Sequence, residues 1–182
     1  MDEITYAVRG FLTIRRHSLR APLSGSLTVR MDRDAGSFTG DLDLGRSAIS
    51  RTVLGASVLR ATVQIMAESP VTGRFDHENR LSATVTVNAA ITGVRTCGRT
   101  LFRGGRCHTA THAVVPMRSQ PGFDLARGGR LVGDYSRPPF TGCGWITPVI
   151  NLLAAGPGNA VVIDLIPAAG GDVRLEGTKV PA

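Results

Sequence analysis

Cysteine and histidine side chains are the first residues of this sequence that could support metal chemistry. Cys107, His108 and His112 lie within one short segment. On a strand, His108 and His112 would share one face while Cys107 would lie on the other, so the three cannot converge without a bulge. A tetrahedral site would also need a fourth ligand, and the chain has no Cys-x-x-Cys motif to supply it. We therefore expect two surface histidines, with no metal and no other cofactor.

Acid–base and nucleophilic catalysis are not indicated either. Asp41 and Asp43 would share a strand face, but alternation of Asp with Leu is also typical of a solvent-facing strand. The sequence contains no Gly-x-Ser-x-Gly elbow, no phosphate-binding glycine loop followed by Lys and no dinucleotide-binding motif. The residues therefore predict a protein that binds another molecule rather than an enzyme.

The 3 cysteines leave the disulfide pairing open. A bridge between Cys107 and Cys143 would close a long loop and stabilise the fold by about 3–4 kcal/mol in the chain-entropy model. A bridge between Cys97 and Cys107 would instead join the two sides of a hairpin around Gly104 and Gly105. A third alternative, expected in the cytosol, is that all three thiols are reduced. The residue types and spacing do not decide among these alternatives.

Arginine supplies almost all of the positive charge of this chain. The formal net charge is +7, and Lys179 is the only lysine. Such basicity favours anionic partners such as a membrane surface or an envelope polymer. Aromatic residues make up only 5% of the chain, so the stacking side chains of single-strand binders are missing and no specific nucleic-acid binding is expected. We expect anionic contacts at two basic clusters, Arg15, Arg16 and Arg20, and, around a turn at residues 104–105, Arg99, Arg103 and Arg106.

Apolar and polar residues alternate with a period of two in segment after segment, which predicts an all-β fold. Turn residues fall between these segments, and residues 32–36 should close a hairpin. We expect an antiparallel, meander-like β-barrel or sandwich formed by residues 1–167, followed by a loose tail at residues 168–182. The alternating segments are residues 4–14, 26–30, 38–44, 58–66 and 81–88.

Residues 145–155 form the one segment with a helical pattern. The segment is mostly apolar, has Pro148 near its start and stops before Gly156, as the preferences of helix ends require. It lacks the basic face of a helix that lies on a membrane, so we expect it to cover a barrel end or an open sheet face. Its apolar side chains are the predicted ligand contacts: Trp145, Ile146, Ile150 and Leu153.

The compartment is ambiguous from the residues alone. No stretch is apolar and long enough to span a bilayer. The first residues, MDEITYAVRG, lack the basic and apolar regions of a secretory signal. We therefore expect either a cytosolic protein or a mature chain from which a signal has been removed.

Six short motifs follow one another along the chain: YxVxGxLTI at residues 6–14, GSFTGDLDL at 36–44, PVTGRFD at 70–76, Cys followed by xTAT at 107–111, PPFTGCG at 138–144 and LLAAGPGNAVVIDLIP at 152–167. This succession resembles a group of small secreted proteins of actinobacteria. The resemblance covers most of the chain and is clearest over residues 138–167. It implies a secreted or cell-envelope location and a bridge between Cys107 and Cys143, and it implies no activity. Cys97 and the missing signal are departures from the pattern.

Two hypotheses about function follow from these patterns. The first is a non-enzymatic secreted or envelope β domain that holds an apolar or amphipathic ligand, such as a lipid, in its interior. The alternative is a structural or protein-interaction module of the cell surface with a filled core and no ligand. A hydrolase or isomerase built on a barrel cavity would require a histidine and a carboxylate to converge inside it.

Overall fold

Strands account for 74% of the structure, a computed structural model that describes residues 2–14, 19–53, 56–76 and 80–168. The hairpin predicted at residues 32–36 and the strand predicted around residues 58–66 are both confirmed. The elements in chain order are β1 (Asp2–Ile14), β2 (Leu19–Asp32), β3 (Ser37–Leu44), β4 (Ser47–Val53), β5 (Ala56–Ala67), β6 (Val71–Phe75), β7 (Leu81–Thr96), β8 (Arg99–Thr109), β9 (Ala113–Ser119), β10 (Gly129–Arg137), β11 (Phe140–Thr141), a 3₁₀ turn (Gly144–Ile146), α1 (Thr147–Ala154) and β12 (Gly156–Pro167).

An antiparallel barrel of 8 strands forms the body of the molecule. Its strand order is β7-β6-β3-β2-β1-β12-β10-β9, and pairing of β9 with the first half of β7 closes it. The predicted all-β class is therefore confirmed, and the architecture is a closed barrel rather than a sandwich. Buried and exposed residues alternate along β2, as expected for a strand with one face toward a core and the other toward water.

The long strand β7 connects the barrel to a second group of strands. Residues 81–87 of β7 pair with β6 and β9 within the barrel. Residues 87–96 pair instead with β5 and β8, and these pair in turn with β4 and β11. We call β4, β5, the second half of β7, β8 and β11 the extension sheet. The strands that lie between barrel strands in the sequence but do not belong to the barrel are therefore all part of this sheet.

Glycines within strands lie where the sheet bends or where chains approach closely. The β5–β7 and β7–β8 registers both shift next to Gly93, which marks an irregularity in the ladder. At Gly73 a Cβ atom would come within 2.2 Å of the Phe38 ring, so no larger residue fits without movement. By contrast, residues 104–105 do not form the turn expected from sequence, because they lie inside β8. The turn between β7 and β8 is at residues 97–98, where both Cys97 and Gly98 have positive φ.

The predicted helix is present with nearly the expected limits. A 3₁₀ turn leads into α1, Pro148 lies in the first turn of the helix, and α1 ends before Gly156. No helix in the described part of the chain has the length and apolar character needed to cross a membrane. The predicted loose tail lies, apart from Ala168, outside the described residues.

Candidate functional site

An apolar groove separates α1 from the extension sheet and the adjacent end of β1 and β2. Its volume is about 140 Å³. Of the 17 residues that line it, 16 are apolar and the exception is Arg137. We call this space the helix groove, and its lining is Ile14, Leu19, Ile49, Leu59, Ala61, Val63, Ile91, Val94, Leu101, Arg137, Phe140, Trp145, Ile146, Val149, Ile150, Leu153 and Ala154.

All four residues predicted as ligand contacts line the helix groove. Ile146 and Ile150 are buried in its wall, Leu153 is half-buried, and Trp145 is 74% exposed at its edge. Sequence reasoning missed Val149, which also lines the groove and is 53% exposed. Helical spacing could have found it, because residues three and four apart share a helix face.

A disulfide anchors the segment that leads into α1. Cys107 near the end of β8 is bonded to Cys143, and both side chains are fully buried. The pairing implied by the family resemblance is therefore the one in the structure, and the alternative pairing with Cys97 is wrong. Cys97 is a free, exposed thiol at the tip of the β7–β8 hairpin. Because β8 belongs to the extension sheet, the bridge fixes the segment before α1 to the sheet that lies across the groove from the helix.

Asn151 holds the middle of α1 against β11 by a pair of hydrogen bonds. Its side-chain Oδ1 accepts from the Phe140 backbone N–H at 2.6 Å, and its Nδ2 donates to the Phe140 carbonyl at 3.0 Å. Phe140 itself pairs with Thr109 of β8. Sequence reasoning did not identify this contact, because a single Asn in an apolar helix carries no information about a partner on a two-residue strand.

The interior of the barrel offers much less space than the helix groove. Two cavities that the described residues enclose there have volumes of about 60 Å³ and 20 Å³. Ligand pockets for small molecules usually have several hundred Å³. None of these three spaces reaches that size, but the helix groove, at about 140 Å³, offers more apolar room than either barrel cavity.

Arg137, at the end of β10, is a buried cation between these two spaces. It is only 5% exposed, and it lines both the helix groove and the 60 Å³ cavity. Its Nη2 donates to the Tyr135 hydroxyl at 2.7 Å, and its guanidinium carbon lies 5.8 Å from the centre of the Tyr135 ring. Burial raises the pKa of the Tyr135 hydroxyl, and the Arg137 charge and hydrogen bond offset part of that effect. The hydroxyl is therefore protonated at neutral pH.

The structure describes only one residue of the first predicted basic cluster but all three of the second. Arg15 and Arg16 lie outside the described residues, while Arg20 is exposed and stacks over the Phe11 ring with its guanidinium carbon 5.4 Å from the ring centre. The three members of the second cluster lie on β8 and all are exposed: Arg99, Arg103 and Arg106.

Residues weighed for metal binding or catalysis lie apart on the surface. The Nδ1 of His108 is 2.8 Å from the Arg106 carbonyl oxygen, and the Nδ1 of His112 is 4.0 Å from a carboxylate oxygen of Glu68. Asp41 forms an exposed ion pair with Arg30. Within the described residues, no three His, Cys, Asp or Glu side chains are grouped so that they could hold a metal ion.

Three comparisons with known proteins found no match to this chain. The chain matches no protein-family model, no curated protein and no solved structure. The chemistry of the helix groove is therefore the basis on which a function can be assigned.

Proposed function

We propose that this protein binds the apolar part of a small amphipathic molecule, such as a single-chain lipid, in the helix groove. The observation that supports this is the composition of the groove, in which 16 of 17 lining residues are apolar. Exposed apolar side chains that line a concave surface gain free energy when a ligand removes them from water, at about 25 cal/mol per Å². Trp145 and Val149 are the exposed side chains on which that gain depends.

The size of the groove limits the ligand. Its volume of about 140 Å³ is close to that of an engineered protein cavity of about 150 Å³ that binds benzene. One apolar group of that size is accommodated without rearrangement. A longer alkyl chain continues along the exposed edge of α1, where Trp145 lies. Single-chain amphiphiles therefore suit this space better than lipids with two chains.

A secreted or cell-envelope setting is part of this proposal. The Cys107–Cys143 disulfide supports it, because such bonds persist in oxidising compartments and are rare in the cytosol. In this setting the exposed arginines of β8 contact an anionic envelope surface through non-specific attraction. The proposal involves no catalytic step.

Fluorescence of Trp145 provides a direct test, because it is the only tryptophan in the chain. Titration with 1-decanol should move its emission to shorter wavelength and saturate, since the alkyl chain replaces water around the indole ring. We expect Val149→Gln to weaken decanol binding by about tenfold, because a polar amide replaces an apolar lining group.

The matched control for this variant is Leu152→Gln. Leu152 is on the same helix and is 61% exposed, but it does not line the groove. We expect its affinity for decanol to stay within about twofold of the original. Equal weakening by both variants, or no saturable change in Trp145 emission at all, would contradict the proposal and favour a structural or protein-interaction module with a filled core.

A further inference from the structure

The extension sheet carries nearly all of the net positive charge of the chain. Its strands contain six arginines and no Asp or Glu, while the formal net charge of the whole chain is +7. All 14 acidic residues lie elsewhere in the sequence. A surface with charge of one sign attracts ligands of the opposite sign. The six residues are Arg51, Arg60, Arg95, Arg99, Arg103 and Arg106.

The strand register places three of these arginines on one face of the sheet. Arg60 of β5 lies directly opposite Arg95 of β7. Gly93, two residues before Arg95, pairs with Arg103 of β8. Residues two apart in a strand share a face, so the three arginines lie on the same face. Val94, between Gly93 and Arg95, lines the helix groove, so this face is turned away from the groove.

Arg106 belongs to the same face. It precedes Cys107, which is buried and pairs with Ile91 of the groove lining. Adjacent side chains in a strand lie on opposite faces, so Arg106 lies on the face away from the groove. A Cβ atom on its neighbour Gly105 would meet nothing within 4 Å, which leaves the approach to Arg106 open. We call the four exposed residues Arg60, Arg95, Arg103 and Arg106 the arginine face.

The charges of the arginine face are not neutralised by the described part of the chain. No carboxylate oxygen of those residues lies within 4.0 Å of these four side chains. Arg95 donates from Nη2 to the Gly98 carbonyl at 3.3 Å, which is a neutral acceptor. Like charges directly opposite each other on neighbouring strands destabilise a sheet. Arg60 and Arg95 have that arrangement, so a bound anion would remove a repulsion that the free protein retains.

We infer that the arginine face binds a linear anionic polymer that carries a phosphate or carboxylate on successive repeat units. Guanidinium groups form paired hydrogen bonds with either group. Directly opposite residues on neighbouring strands are about 5 Å apart and diagonal ones about 7–8 Å, so several charges of one polymer can be bound together. This inference gives a partner to the attraction proposed above for β8, and it does not depend on the ligand of the helix groove.

The two sides of the extension sheet favour a polymer over a bilayer. The exposed apolar residues Trp145, Val149 and Leu152 belong to α1, which lies on the groove side of the sheet. Attachment to a bilayer gains from buried apolar area as well as from charge. A bilayer against the arginine face would leave these three residues in water. Nucleic-acid bases would find no stacking partner in β8, because Phe102 pairs with Val94 and so shares the groove face.

The first test uses the unaltered protein and three probes: long-chain polyphosphate, poly-L-glutamate and inorganic phosphate. We expect calorimetry to show binding of at least one polymer, and far weaker binding of inorganic phosphate, which contacts fewer arginines at once. The logarithm of the affinity should fall with the logarithm of salt concentration with a slope of about −3, as expected for four contacts. A preference between the two polymers supports the inference and identifies the anionic group.

The second test removes two arginines of this face together. The double variant Arg60→Thr, Arg103→Thr should weaken binding of the preferred polymer by at least about tenfold and reduce the salt slope to about half. The control is Arg9→Thr, Arg118→Thr, which removes the same charge from exposed positions on the barrel strands β1 and β9. Its affinity should stay within about threefold of the original. Arg60→Thr alone should not lower the free energy of unfolding, since it removes a repulsion.

The outcomes separate this inference from the proposed function. Equal weakening by the two double variants would overturn the inference, because net charge alone would then explain the attraction. Binding to phosphatidylglycerol vesicles without binding to either polymer would also overturn it and favour a bilayer. Decanol binding should be the same in both double variants as in the original protein. Failure of decanol to bind any of them would remove the proposed function and leave this inference standing.

Discussion

At the residue scale, Arg137 is a charged side chain that is only 5% exposed. Burial of an ion without a counter-charge costs several kcal/mol in real proteins. The hydrogen bond from Arg137 to the Tyr135 hydroxyl offsets part of that cost. We therefore expect Tyr135→Phe to lower the free energy of unfolding by about 1–3 kcal/mol, because Arg137 loses this acceptor, and urea unfolding measures the loss.

Tyr6 gives a residue-scale prediction about pH. Its hydroxyl donates to the Leu125 carbonyl at 2.5 Å. Burial, followed by the nearby Asp124 charge, raises the pKa of Tyr6 from 10.0 to about 12. The folded protein holds this proton more tightly than the unfolded chain. The stability it contributes should therefore be fully present below pH 10 and be lost as the pH rises through about 12.

Urea unfolding at a series of pH values checks this expectation. Tyr6→Phe should lower the free energy of unfolding at neutral pH by about 1–2 kcal/mol, because the Leu125 carbonyl loses its donor. Above pH 10 the variant should lose stability less steeply than the original protein. Tyr135 is the only other tyrosine and is present in both proteins, so the difference reports on Tyr6. Identical slopes would show that Tyr6 does not titrate in this way.

The sequence predicted the apolar residues of α1 that line the groove, but it did not predict the burial of Arg137 beside them. Trp145, Ile146 and Ile150 are recognisable because helical spacing and apolar character can be read locally. Arg137 is followed by two prolines and reads as a charged residue in a loop. Its burial depends on the pairing of β10 with β12 across a register shift next to it, which no local pattern contains.

At the element scale, the position of α1 decides whether the helix groove exists. The helix has only 8 residues, too few to be stable alone, so its docking must supply the stability. Two attachments do so: the Cys107–Cys143 bridge before the helix, and the hydrogen bonds of Asn151 to Phe140 in its middle. Both lead to β8 or its partner β11. The extension sheet therefore forms one wall of the groove and also holds α1, which forms the opposite wall.

Loss of the disulfide should weaken both the fold and the groove. We expect the double variant Cys107→Ala, Cys143→Ala to lose about 3–4 kcal/mol of unfolding free energy, from the loop-closure entropy that the bridge removes. Guanidinium unfolding measures this loss. Affinity for decanol should fall as well, because α1 is no longer fixed at its start.

The exposed thiol provides the control for this prediction. Cys97→Ser should change the unfolding free energy by no more than about 0.5 kcal/mol, as surface substitutions usually do. In the native protein, one thiol should react with a labelling reagent, and three should react after unfolding and reduction. Three reactive thiols without reduction, or unchanged stability of the double variant, would be incompatible with a bridge that anchors α1.

The elements themselves were largely predictable, while their pairing was not. Alternation along β2 and the apolar run of α1 are local patterns, and both elements were expected. The alternation of β7 breaks at residues 89–91, which are buried in succession where the strand passes from the barrel to the extension sheet. Sequence shows such a break but not its cause, because the partners β5 and β8 are brought together only by the complete fold.

At the scale of the whole molecule, the described residues leave more apolar space beside the barrel than in either of two cavities inside it. Those cavities have volumes of about 60 Å³ and 20 Å³, and the helix groove has about 140 Å³. Composition and alternation could predict an all-β domain. They could not distinguish a barrel with a ligand inside from a barrel with a groove beside it, since both give the same alternation of residues along each strand.

A crystal structure of the protein with 1-decanol would test the central claim most directly. We expect electron density for the alkyl chain between α1 and the extension sheet, in contact with Ile146 and Ile150. Density for decanol only at other surfaces, or a groove that stays empty at saturating decanol, would contradict the claim.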